Sequence, residues 1–165
     1  MTTTAKHLIR IALAAGTAAL AAVLLLCGPG RAAGGTTETL HVYDKVLSVK
    51  MTRADGTVVG RPPYPEPAPG DTIDIVSLEY AGNHGKHARR PFGSGHARCV
   101  FPAQPGPPDC VSHIAIASSM LVFEGDPGTL VLGTGRYRGA KGRVLSSVNV
   151  GGGNDSDIVA RITRR

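Results

Sequence analysis

Leu132-Gly133-Thr134-Gly135-Arg136-Tyr137-Arg138-Gly139-Ala140-Lys141-Gly142-Arg143-Val144 sets four glycines close together between apolar ends. Glycine weakens an ordinary strand, so this density implies places where the backbone turns sharply, takes positive φ or meets another backbone closely. A small closed barrel needs such places at its corners. The competing reading is a phosphate-cradling loop, because Gly133, Gly135 and Gly139 come near G-x-G-x-x-G. Here three residues, not two, separate the second and third glycines. The following run, R-V-L-S-S-V-N-V over 143–150, is β-branched and alternating where that fingerprint must open a helix. Nucleotide binding is therefore set well below the strand-corner reading.

Working outward, candidate strands cover 40–52, 57–59, 72–80, 94–101, 111–117, 120–124, 129–132, 143–150 and 157–162. Gly125-Asp126-Pro127-Gly128 and Gly151-Gly152-Gly153-Asn154-Asp155 are turn signals between them. The proline-rich stretch 62–69 cannot join the interior of a ladder and reads as an extended excursion. Eight or so short strands and no amphipathic helix indicate an all-β fold, and the glycine corner selects an eight-stranded antiparallel closed barrel over a sandwich. A barrel of that size can hold one small ligand.

The front of the chain reads differently. Lys6 and Arg10 precede the apolar, small-residue run 11–26, and Gly28-Pro29-Gly30-Arg31-Ala32-Ala33 supplies a small-residue cleavage site after Ala32. This is the pattern of a secretory signal, a helix removed on export. The expected organisation is a signal peptide over 1–32, a flexible leader over 33–38 and a barrel over 39–165. The product is expected outside the cell, with no stable membrane span after cleavage; lipidation at Cys27 and an uncleaved anchor are the lesser alternatives. Removing Lys6, Arg10 and Arg31 leaves 15 Lys and Arg against 12 Asp and Glu, so the formal charge falls from +6 to +3. So mild an excess, with no Trp and no basic stripe alternating with aromatics, argues against nucleic acid as a partner.

With Cys27 gone, Cys99 and Cys110 are the only thiols of an exported chain, and they flank a proline-rich turn between two strand-like runs. Cross-strand neighbours lie within disulfide reach, so the pair is expected to close a hairpin. The rival reading, a reactive Cys99, needs a free thiol and a reducing setting.

Several of these segments together resemble the allene oxide cyclase superfamily and its dirigent relatives. Gly133 to Val144 is similar to the cyclase corner G-x-G-x-F-x-G-A-x-G-x-V and to the dirigent G-T-G-R-F-R-x-A-R-G. Val42-Tyr43-Asp44 resembles the first-strand V-Y-E, Gly70-Asp71 through Leu78-Glu79-Tyr80 resembles a strand that opens G-D, and Cys99-Val100 resembles its C-V strand. The resemblance spans about residues 40–164. It implies a barrel, usually oligomeric (a dimer or trimer), whose apolar cavity confines a hydrophobic small molecule and steers its isomerisation or cyclisation without a cofactor.

Asp44 falls where the cyclase has its first-strand glutamate, making it the candidate catalytic residue. Alternation independently places it on one face with Leu40, Val42 and Val46, where an unpartnered carboxyl would have a raised pKa. A salt bridge to an arginine near the barrel mouth is the equal alternative. Val42, Val46 and Phe123 are the candidate substrate-lining positions. Val46 stands where the cyclase has asparagine, Phe123 where it has tyrosine, and Lys141 where dirigent proteins have arginine, so family polar groups are missing. The basic stretch Asn83 to Arg90 reads as a solvated loop in preference to an anion site. His84, His87, His96 and His113 match no standard ligand spacing, and no metal is expected. Against the cyclase reading stands a non-catalytic secreted binding barrel.

Overall fold

The computed structural model describes residues 35–104 and 106–164; the signal expected over 1–32 lies outside them. Eight strands make the wall: β1 (Thr36–Thr52), β3 (Thr72–Asn83), β5 (Gly93–Val100), β6 (Asp109–Ile116), β7 (Ser119–Glu124), β8 (Thr129–Gly133), β9 (Lys141–Asn149) and β10 (Ser156–Arg164). Two short strands, β2 (Val58–Val59) and β4 (Lys86–His87), extend β1 and β3. The order around the wall is β1-β10-β9-β8-β7-β6-β5-β3, and β3 pairs back onto β1 to close an antiparallel eight-stranded barrel. Among the described residues no helix is long and apolar enough to cross a membrane.

β1 achieves closure because it is long. Its first part, Thr36 to Asp44, pairs with β10, while Val42 to Thr52 pairs with β3, and an irregularity between Val46 and Ser48 bends it between the two. Pairing also explains a difference from the sequence reading. Thr36, Thr37 and Glu38, expected in the flexible leader, are strand residues because Ile162, Thr163 and Arg164 of β10 stand opposite them.

The glycine-rich stretch is a corner between strands, as its β-branched continuation requires. β8 ends at Gly133, a single 3-10 turn over Gly135–Tyr137 follows, and β9 begins at Lys141. The turn sinks Tyr137 into the core at 0% exposure, beside Ile116, Leu121, Phe123, Leu130 and Ile162. The Tyr137 carbonyl then lies against Gly133 where a Cβ would stand, so only glycine fits there. Outside, the Arg136 guanidinium carbon lies 4.7 Å from the Tyr137 ring centre.

Two features set the strength of the wall. Cys99 and Cys110 are directly opposed in the β5–β6 ladder, Cα to Cα 4.1 Å, and are joined by a disulfide. The β8–β9 contact is slight by comparison, with one register pair, Thr129 and Arg143, and a 2.8 Å bond from the Val144 amide to the Gly128 carbonyl.

Candidate functional site

The alternation of β1 sends Val42 and Asp44 to the same side, and Val42 is buried there. Across the β1–β3 ladder Asp44 stands opposite Glu79 and Val46 opposite Ser77. Glu79 is 1% exposed and Ser77 is buried with it. The Ser77 hydroxyl donates to Glu79 Oε1 at 3.0 Å. Room for this arrangement comes from β5. Gly95 faces Ser77 in register, and a Cβ at Gly95 would strike both Glu79 Oε1 and the Ser77 hydroxyl.

This leaves two buried carboxylate oxygens, Asp44 Oδ1 and Glu79 Oε2, without a hydrogen-bond partner. Among the described residues no Lys or Arg forms an ion pair with either group, so the structure does not give Asp44 the arginine partner weighed above. Ser77 carries one hydroxyl proton, which cannot serve both carboxylates at once. Burial pushes Glu79 up to about 8, the neighbouring Asp44 charge adding to the effect and Ser77 opposing it. Burial likewise pushes Asp44 up to about 6; Ser77 opposes this and the Asp155 charge contributes to it. Carboxyls this close titrate as a pair, and near neutral pH they hold one proton between them.

Farther along the same face of β3 from Glu79, past the Val46–Ser77–Gly95 rung, the inner wall is mostly apolar and half-buried. Val49, Ile75, Ala97 and Ser112 follow one another across β1, β3, β5 and β6 in register, each half-buried, and Phe123 on β7 ends the row. Phe123 is buried in the core cluster. Val46 is half-buried, and its amide is taken by Asp155 Oδ1 at 2.9 Å. The other Asp155 oxygen accepts the Tyr43 hydroxyl at 2.6 Å, which pushes that hydroxyl up to about 12. Asp155 thereby ties the β9–β10 turn to β1 on both sides of Asp44, at Tyr43 before it and at Val46 two residues after it. Ser156, next in line, is the residue of β10 opposite Asp44.

The other sequence candidates have structural employment. Cys99 is oxidised, which removes it as a nucleophile. Asp71 of the Gly70-Asp71 motif is a loop clamp, accepting the Ala54 amide at 3.0 Å and the Ala68 amide at 2.7 Å and pairing with Arg53 at 3.0 Å. The basic stretch folds into the β3–β4 hairpin, where His84 meets Asp157 at 2.8 Å and His87 packs on Tyr43 and Tyr80. His96 and His113 are cross-strand neighbours with ring centres 6.3 Å apart, yet among the described residues no three His, Cys, Asp or Glu gather as a metal centre needs.

Glu79 was not singled out by the sequence. Its signal was present in T-I-D-I-V-S-L-E-Y, where Ile73, Ile75, Ser77 and Glu79 share one face of a strand. Val76, Leu78 and Tyr80 make the other face equally apolar, so the phase is ambiguous.

The closed eight-stranded antiparallel wall has the barrel fold of dirigent proteins, and comparison of folds agrees. The chain is similar to pyocyanin demethylase, with a TM-score of 0.56 at 18% identity over 76% of this chain and 100% of that one. It is similar to the pterocarpan synthase dirigent protein PsPTS1 (TM-score 0.54, 15% identity, 79% and 95% covered) and to GePTS1 (0.51, 15%, 87% and 96%). No protein-family model and no curated protein matches the sequence.

Proposed function

We propose that this chain is an exported small-molecule barrel that holds one apolar molecule against its inner wall and steers its isomerisation or cyclisation, with Asp44 acting on charge that develops at the reacting centre. The observation that carries this reading is the placement of Asp44 and the buried Glu79 together on the inner wall of the barrel, with the apolar Val42 and Val46 to either side of Asp44 on the same face of β1, since fixed charge in a water-poor site acts most strongly on a transition state. Confinement to one reactive conformer supplies the rest. Val42, Val46 and Phe123 act as shape rather than as hydrogen-bonding groups. The fold shared with a demethylase and with dirigent synthases fits a site of this kind, and the disulfide fits an oxidising compartment.

A second reading, a binding barrel without chemistry, is favoured by the apolar side chains at 46 and 123 and by the oxidised Cys99. Native mass spectrometry of the protein recovered from its producing cells tests the common part. A bound apolar molecule is expected in the wild type and not in Ala97→Trp, which fills the half-open row. Retention of the same molecule by Ala97→Trp places it elsewhere and sinks the reading. Once that molecule is known, normal turnover by Asp44→Asn would remove the catalytic role and leave the binding barrel.

A further inference from the structure

We infer that the molecule held in the barrel is cationic, an apolar body carrying a protonated amine or similar positively charged nitrogen that seats between Asp44 and Glu79. This rests on the reading of the barrel interior as the binding site and adds the charge of its occupant. Glu79 is 1% exposed with Oε2 unpartnered, and Asp44 Oδ1 beside it is likewise unpartnered. Buried carboxylates are ordinarily matched by cations or by several donors, because an unmatched one is costly to keep from water. Among the described residues the only side-chain donor to the pair is Ser77, and the further charge acting on Asp44 is the carboxylate of Asp155, which is of the same sign.

Two acceptor oxygens, a local excess of negative charge and the apolar Val42 and Val46 on the same face of β1 form a complement to an alkyl- or arylammonium. Each feature excludes an alternative. An anionic ligand would meet the charge remaining on the pair and that of Asp155, both of its own sign. A neutral ligand without donors would leave both orphaned oxygens as they are. General attraction of cations is not the cause, since the chain without residues 1–32 carries a formal charge of +3. In the free protein the proton shared by the two carboxyls takes the place of the ligand's charge, and binding releases it. A site shaped for a positive group also favours a reaction in which positive charge builds up, because binding that is stronger in the transition state than in the ground state is what accelerates a step.

Decylammonium, decanol and decanoate share one chain and differ in head-group charge. Titrated calorimetrically into the folded protein below their micellar concentrations, decylammonium is expected to bind at least tenfold more tightly than decanol, with decanoate weakest. Glu79→Gln and Asp44→Asn should each remove most of that preference. The use of two variants guards against either one failing to fold. Equal binding of decylammonium and decanol overturns the inference but leaves the apolar site standing. So does a decylammonium preference that survives in both variants. Failure of all three probes to bind brings down the interior site as well.

Discussion

At the scale of single residues, the carboxylate pair makes folding depend on pH in a direction opposite to that of most acidic side chains. Glu79 rises from 4.5 to about 8 and Asp44 from 3.8 to about 6 on folding, so between these limits the folded chain binds more protons than the unfolded one. The pair's contribution to stability is therefore complete below about pH 4 and is lost as pH rises through the window toward 8. Glu79→Gln removes most of this dependence. Thermal unfolding at fixed ionic strength should show the wild type losing several degrees between pH 5 and pH 9 while the variant stays nearly level; parallel curves would assign the loss to other groups. Gly95→Ala is expected to cost about 1–3 kcal/mol by overpacking, because the new methyl collides with the Glu79 carboxylate and Ser77. The cost should shrink in a Glu79→Ala background, which a double-mutant cycle by urea denaturation measures directly. Asp44 was legible in the sequence because V-Y-D sits in a clean alternation. Its partner was hidden, since strand pairing brings Glu79 to it from 35 residues away and no local pattern reports register between strands.

At the scale of elements, the β5–β6 hairpin and the β9–β10 turn do different work. Reducing the Cys99–Cys110 bridge, or replacing both residues by serine, should lower stability by ~2–3 kcal/mol, the entropy released by opening so short a loop in the unfolded chain. An unchanged denaturation midpoint after verified reduction would contradict this. The β9–β10 turn is held by Asp155, and Asp155→Ala frees both the Val46 amide and the Tyr43 hydroxyl. That change is expected to return the Tyr43 titration, followed by ultraviolet absorbance, from about 12 toward 10. A tyrosine titration left at its high value would show that Asp155 is not what holds it. Strand positions were the most readable part of the sequence, because turn residues and β-branched alternation mark them locally. The short β4 and the 3-10 turn at Gly135 were not, since each depends on tertiary partners: Gly82 and Asn83 for the first, and the buried seat of Tyr137 for the second.

At the scale of the whole molecule, the wall is uneven. β1 is shared between two neighbours along its length, whereas β8 and β9 meet at a single register pair. Hydrogen exchange should find the amides of β8 and of 145–149 opening first, and those of 39–44 protected nearly to the global limit. Uniform protection around the wall would deny that the seam is weak. The barrel closes by setting its first strand against its last, and Thr36 faces Arg164. The two ends of the domain are therefore separated by about 5 Å, the width of one strand pairing. A few residues of linker could join them, and the chain could instead begin and finish in the exposed glycines 151–153. Such a circular permutant would keep each ladder while moving its termini to the turn beside Asp44, where a reporter or a tether could be attached at the edge of the site.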